Sequence, residues 1–460
     1  MHTLDQLRAG QLHGITRLDL SASLEQFPEE IFALAESLEV LNLSGNRLTD
    51  LPHDLHRLHR LEVLFCSNNR FERVPESVGR CQSLRMVGFK SNRIRELSAK
   101  ALPPRLRWLI LTDNCLETLP EALGDCTELQ KLMLAGNRLG TLPASLARLE
   151  NLELLRIAAN RLPMLPDALL QLPRLAWLAY AGNPFDLAGT AEPHVPKVAW
   201  GELEVGEILG QGASGIIHHA HWQRPDGSSE AVALKVFKGQ MTSDGTPDSE
   251  MRACLAAGQH PNLIEVLGRL AGHPDGEQGL LLSLVDPRFN VLAGPPSLES
   301  CSRDTYASEW RIPFAQALRV AVGIASAMRH LHAQGVSHGD LYGHNILLDD
   351  TGDVLLGDFG AASLHTAASW QHLALQRIET RAFGILLEEL LTRSEVPAHL
   401  RAPLDDLLTR CLQADVNARP DFAEIDATLA RLLAQRPDDH QPDVMSARLA
   451  SETEPSPVSL

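Results

Sequence analysis

Leucine and its apolar substitutes recur at fixed spacing through the first part of the chain. The segments are LEVLNLSGNRL from Leu38, LEVLFCSNNRF from Leu61, LRMVGFKSNRI from Leu84, LRWLILTDNCL from Leu106, LQKLMLAGNRL from Leu129, LELLRIAANRL from Leu152 and LAWLAYAGNPF from Leu175. Their asparagines fall at Asn46, Asn69, Asn92, Asn114, Asn137, Asn160 and Asn183, a step of about 23 residues, and ITRLDLSASL from Ile15 fits as an atypical first unit with Ser23 at the asparagine position. The first, fourth and sixth residues of each unit are apolar and predict a stacked core beneath short parallel strands. The asparagine is suited to bonding backbone groups of neighbouring turns that burial would otherwise leave unpaired, so it is assigned a structural role. A Leu-Pro or Val-Pro follows most strands, at Pro52, Pro75, Pro120, Pro143 and Pro166, and opens an apolar-periodic run that predicts a short helical turn on the convex side. The unit around Ser98 lacks the proline and is one residue shorter.

The pattern changes after residue 185. PFDLAGTAEPHVPKV, from Pro184 to Val198, carries three prolines and no periodicity, and predicts a stiff connector over residues 186–197. Beyond it, EILGQGASGIIHHAHW places Gly210, Gly212 and Gly215 in a Gly-x-Gly-x-x-Gly, and the apolar residues after it predict a strand, hence a glycine-rich hairpin. AVALKVFK predicts a second strand that fixes Lys235, and IPFAQALRVAVGIASAMRHLHAQGV from Ile312 has helical periodicity. The stretch SHGDLYGHNILLDDTGDVLLGDFG, from Ser337 to Gly360, then sets Asp340 and Asn345 in a loop and Asp358 at the head of an Asp-Phe-Gly after a further strand. From about Gln435 the chain is polar and rich in Pro, Ser and acid, and is expected to be a disordered tail over 435–460.

Composition adds limits. A length of 460 residues with 44% hydrophobic content supports two folded domains. The seven cysteines are dispersed with no Cys-x-x-Cys pair, as expected of reduced thiols, so disulfides and zinc are not expected. No apolar run suits export or anchoring, and a cytoplasmic chain is expected. The net charge of −17 lies mainly in the second half and disfavours nucleic acid and anionic membranes as partners.

The repeat over residues 1–185 resembles the leucine-rich repeat family. The glycine hairpin, Lys235, His260-Pro261-Asn262, the Asp340 to Asp358 loop, ETRAFGILLEELL from Glu379 and RCLQADVNARPDF from Arg410 together resemble the protein kinases over 198–434. The resemblances imply an α/β leucine-rich-repeat solenoid followed by an α+β bilobal protein-kinase-like domain. They also imply a protein serine/threonine kinase that transfers the gamma-phosphate of ATP with Mg²⁺. Carried over position by position, Leu209, Gly210, Gln211, Gly212, Ala213, Ser214, Gly215, Ile217 and Lys235 would hold the nucleotide, with Glu250 orienting Lys235. Asp340 would accept or orient the acceptor hydroxyl's proton, Asn345 and Asp358 would hold the metal, and His338 would be a packed structural histidine. Phosphoryl transfer through a loose, highly charged transition state needs positioning and electrostatics rather than a covalent nucleophile, which these residue types can supply.

Departures from the kinase pattern narrow that reading. Gly339 stands where most protein kinases have arginine, Tyr342 where serine/threonine kinases have a lysine, and His344 is a partial substitute for the arginine of tyrosine kinases. Only 20 residues separate Asp358 from Glu379, with no Ala-Pro-Glu, a shorter run than the segment on which protein kinases seat a peptide substrate. Tyrosine specificity, an ATP-binding scaffold without efficient catalysis, and a small-molecule phosphotransferase suggested by His-Gly-Asp are the alternatives. Ser363, Thr366 and Ser369 are candidate autophosphorylation sites. The third and fifth positions of the repeats give an apolar concave stripe including Phe65, Met86, Trp108 and Trp177, which reads either as a face for a protein substrate or regulator, or as a surface covered by the rest of the chain.

Overall fold

The computed structural model describes residues 2–185, 195–212, 214–238, 241–242, 244–365 and 370–434. Ala213, Thr366, Ser369, most of the connector 186–197 and the tail 435–460 lie outside the described residues.

After a short helix α1 (Leu4–Arg8), capped by Thr3, eight three-residue strands follow: β1 (Arg17–Asp19), β2 (Val40–Asn42), β3 (Val63–Phe65), β4 (Met86–Gly88), β5 (Trp108–Ile110), β6 (Lys131–Met133), β7 (Leu154–Arg156) and β8 (Trp177–Ala179). They pair in parallel and in chain order, each in register with the next, so Trp108 stands beside Lys131, Lys131 beside Leu154 and Leu154 beside Trp177. Leu38, Leu41 and Leu43 and their equivalents form a continuous buried core. On the convex side the expected turns are 3-10 helices, with Pro120, Pro143 and Pro166 at their N-caps; the proline-free unit uses Ser98 instead, whose hydroxyl accepts from Lys100 N at 3.3 Å. The asparagines bridge successive turns. Asn137 Nδ2 donates to the carbonyls of Leu111 and Leu134, both at 2.9 Å, while its Oδ1 accepts from Leu116 N at 3.0 Å. Burial therefore leaves these turns with satisfied backbone groups.

The second part opens with β9 (Lys197–Ala199), then β10 (Leu203–Gln211), β11 (Gly215–Gln223), β12 (Ser229–Phe237), helix α2 (Pro247–Ala257), β13 (Val266–Ala271) and β14 (Gly279–Ser283). These strands make one six-stranded sheet in the order β10, β11, β12, β14, β13, β9. A mostly helical lobe follows. Its elements are β15 (Asn290–Val291), α3 (Phe314–Ala333), β16 (Val336–Ser337), β17 (Ile346–Leu348), β18 (Val354–Leu356), β19 (Ser363–Leu364), α4 (Trp370–Thr392), α5 (Ala398–Cys411) and α6 (Phe422–Ala434). Among the described residues no helix is long and apolar enough to cross a membrane.

The two parts are not separate bodies joined by a tether. Ala374, Leu375 and Ile378 of α4 belong to the leucine core of the repeats, while Leu154, Ala176 and Trp177 of the last repeats belong to the core of the helical lobe. Polar contacts border that seam: Arg419 Nη2 donates to Pro173 O at 2.7 Å, Arg381 Nε to Arg174 O at 3.2 Å, and Gln371 Nε2 to Asp167 Oδ1 at 2.8 Å. The concave face at its C-terminal end is thus covered within the chain. Trp177 is 1% exposed and stacks on Tyr342 with ring centroids 4.1 Å apart and planes 7° from parallel, which removes it as an anchor for an external protein. Met86 is buried as well, whereas Phe65 and Trp108 remain half-buried. Ser363 is 1% exposed, with Tyr180 N donating to its Oγ at 3.4 Å, so it is not an exposed hydroxyl awaiting modification.

Candidate active site

Each site residue owes its position to the element beneath it. β10 and β11 form the glycine hairpin, with Gly210 opposite Ile217. Gly215 is demanded by the sheet itself, since a Cβ there would stand 2.5 Å from Val236 O. Gly210 and Gly212 have nothing within 4 Å of a would-be Cβ, so no internal contact requires them to be glycine. Close approach by a bound group is the remaining reason for glycine there. Beside them Ile208 and Leu209 are 57% and 48% exposed.

Lys235 lies on the central strand β12, flanked by β11 and β14, and its ammonium pairs with the Glu250 carboxylate from α2. Thr246 caps that helix, its hydroxyl accepting from Ser249 N at 3.2 Å, which sets the turn carrying Glu250. Burial alone would lower the Lys235 pKa, but the carboxylates of Glu250 and Asp358 outweigh it and hold the ammonium above the usual lysine range. The lysine is therefore a fixed positive charge facing Asp358.

The loop after α3 gathers the acidic groups. His338 is fully buried, its Nδ1 accepting from Asp340 N at 3.3 Å and its Nε2 donating to Gly357 O at 2.9 Å, so it is a structural brace. Glu379 of α4 reinforces the same turn. Its Oε1 accepts from Gly339 N at 2.7 Å and its Oε2 pairs with His332 Nε2 at 2.6 Å; burial alone would raise this carboxyl, and His332 with the Gly339 N–H instead holds it below the usual range. Asn345 Nδ2 donates to both the carbonyl and Oδ2 of Asp340 at 2.9 Å. With its nitrogen so committed, the amide oxygen is the atom left for a cation. Asp358 adopts a left-handed backbone with φ of 53°, and its Oδ1 accepts from Gly360 N at 3.0 Å, leaving its other oxygen toward the cleft. An amide and a carboxylate oxygen of this kind suit a hard divalent cation, and the glycine hairpin with Lys235 suits a polyphosphate.

Arg156, which the apolar reading of the concave stripe passed over, enters this cluster from β7. Its guanidinium pairs with Asp340 through Nη2, donates from Nε to Asp244 Oδ1 at 2.7 Å and from Nη1 to Gly339 O at 2.9 Å. The neighbouring Lys131 of β6 is also buried, its ammonium 4.4 Å from the centre of the Trp108 ring. The signal was in the sequence: a lysine at the third position of one unit and an arginine at the fifth of the next, on a stripe otherwise apolar. His344 pairs through Nδ1 with Asp304 Oδ1 at 2.7 Å and also lies within electrostatic reach of Asp340.

Comparison with known proteins agrees with the architecture. The family model for protein tyrosine and serine/threonine kinase matches residues 203–378, and two leucine-rich repeat models match residues 36–77 and 82–139. Among curated relatives, CBL-interacting protein kinase 22 of Oryza sativa subsp. japonica is 32% identical over 182 residues, covering 38% of this chain and 38% of that protein. The serine/threonine/tyrosine-protein kinase HT1 of Arabidopsis thaliana is 26% identical over 270 residues, 50% of this chain and 66% of the relative. The tyrosine-protein kinase receptor TYRO3 of Gallus gallus is 23% identical over 273 residues, 50% of this chain and 31% of the relative. The matched segment thus spans between 31% and 66% of the length of these three proteins. With fold, site geometry and family models in agreement, the chain is a protein with N-terminal leucine-rich repeats followed by a protein kinase domain.

Proposed function

We propose that this protein is a cytoplasmic protein serine/threonine kinase that transfers the gamma-phosphate of MgATP to a protein hydroxyl, with the repeats recruiting the substrate or a regulator. The observation that carries the reading is the buried Lys235–Glu250 ion pair facing Asp358, across the cleft from the Asp340–Asn345 pair. Bound MgATP supplies the phosphoryl group and a divalent cation that screens its charge. Gly210, Gly212 and Gly215 let backbone approach the phosphates, Lys235 neutralises them, and Asn345 and Asp358 offer oxygens to the cation. Asp340 orients the acceptor hydroxyl and takes its proton. Recruitment falls to the half-buried Phe65 and Trp108 on the open part of the concave face, since Trp177 is engaged within the chain.

A second reading has its own support. The last repeats cover the catalytic loop, and an ATP-binding scaffold would tolerate that cover. One experiment separates the two: wild type and Asp340→Asn are incubated with labelled MgATP and a general protein acceptor. The kinase reading expects labelling by wild type and a loss of at least about 100-fold in the variant. Equal labelling by both would sink it, and thermal stabilisation by MgATP without any labelling would favour the scaffold.

A further inference from the structure

The catalytic loop carries its own electrostatic problem. From Ser337 to Gly360 it contains Asp340, Asp349, Asp350, Asp353 and Asp358 and no lysine or arginine. Asp340 is further faced by Asp244 and Asp358, with His344 and Arg156 as the opposing charges. His344 is bonded to Asp304 and Lys235 to Glu250, so among the described residues Arg156 is the cation in direct contact with the Asp340 carboxylate. A carboxylate that must present one oxygen to an acceptor, in a site that also receives a polyphosphate, needs such a fixed positive neighbour.

The loop is also shaped to receive the repeat. Gly339 has φ of 74°, and a Cβ there would stand 2.5 Å from Ala361 O and 2.9 Å from Leu178 O, the latter on β8. Ala361 O, from the lobe's own Asp-Phe-Gly segment, already excludes a larger residue there, and Leu178 O closes the same space from the repeat side. Tyr342 offers the flat ring on which Trp177 stacks, and Trp177 Nε1 donates to Leu341 O at 2.9 Å. The two departures in the loop, at Gly339 and Tyr342, thus both lie in the run Gly339–Tyr342 that the repeats touch through Arg156, Trp177 and Leu178.

We propose that the seventh and eighth repeats complete the phosphotransfer site, with Arg156 a positioning residue that supplies, from the repeat domain, the cation which the loop lacks and which holds Asp340 in place. This rests on the kinase reading above. A removable inhibitory latch is the rival account of the same contacts. It is disfavoured because apolar residues cross the seam in both directions, Leu154, Ala176 and Trp177 into the core of the helical lobe and Ala374, Leu375 and Ile378 into that of the repeats, whereas interfaces built to open are more polar. Arg156 is 2% exposed with its donors engaged, the state of a built-in part.

The test uses full-length protein with Arg156→Met, which keeps the stem, and Arg156→Lys, which keeps the charge. Phosphotransfer kinetics, MgATP affinity and melting temperature are measured for each. The expected result is a kcat lowered by about 100-fold or more in Arg156→Met, with MgATP affinity within about threefold of wild type and partial recovery in Arg156→Lys. A rate in Arg156→Met above wild type would establish the latch and overturn the proposal. Unchanged kcat in both variants overturns it too, as does kcat falling together with nucleotide affinity with no recovery in the lysine variant. If Arg156→Met does not fold, Arg156→Gln takes its place: normal kcat refutes, and reduced kcat at unchanged affinity with recovery in Arg156→Lys supports. Failure of the kinase reading looks different, because wild type then labels nothing. In that case non-additive melting of Arg156→Met and Asp340→Asn would still report the docked pair, while the catalytic role would be refuted.

Discussion

At the scale of single residues, buried charges and buried neutral bases are set by what faces them. His365 lies just past β19, where its N–H donates to Gly335 O at 2.9 Å and its Nε2 meets Ser337 Oγ at 3.1 Å. Burial, with His372 alongside at a ring distance of 4.3 Å, pushes its pKa down to about 4. The unfolded chain takes up a proton here near pH 6.5, while the native state refuses it until about pH 4. Stability from this group is thus fully present above pH 6.5 and is lost as pH falls toward 4. Over the step from pH 7 to pH 5 the loss is up to about 2 kcal/mol. Urea denaturation at the two pH values should show a smaller drop in His365→Gln than in wild type; equal drops would show that His365 does not carry the effect. Lys235 and Asp340 were identifiable from neighbouring letters in the chain, because their motifs are local. Arg156 stands out in the chain only as a charge on an otherwise apolar stripe, and its role was not readable there, since the acceptors that give it meaning lie 88, 183 and 184 positions away.

At the scale of elements, the repeat strands are only three residues long, so they depend on their neighbours and on the asparagine bridges between turns. Replacing Asn137 by alanine would leave the carbonyls of Leu111 and Leu134 and the N–H of Leu116 without that side chain. Two or three unsatisfied buried groups give an expected destabilisation of about 3 kcal/mol, read as a lower urea midpoint at unchanged slope. A shift no larger than that of an exposed Asn-to-Ala change would contradict the bridging role. This element was legible because its period is intrinsic to the chain: the strands, the turns after Pro120, Pro143 and Pro166, and the Ser98 exception all follow from spacing. The helix α3 was equally legible from its apolar face. Which of the concave residues meet solvent was not, because a strand's outward side chains look the same whether water or a helix covers them.

At the scale of the whole molecule, repeats and kinase domain share a core across α4 and the last two strands, so they are expected to unfold together. Calorimetry should give one transition that MgATP shifts upward as a unit. Two transitions, with the repeats melting independently of nucleotide, would refute that unity. The same seam fixes what each half can do: it closes the C-terminal end of the concave face and leaves the first repeats, with Phe65 and Trp108, as the open surface.

The amino-acid sequence alone determined the repeat period, the glycine hairpin, the lysine strand and the acidic loop, because each is written in residues a few positions apart and governed by local geometry. Tertiary structure decided that Trp177 is an internal contact, that Ser363 is buried, and that a guanidinium from the seventh repeat sits on Asp340. These depend on how two long segments pack against each other, and burial and charge pairing at such a seam arise only when both surfaces are in place.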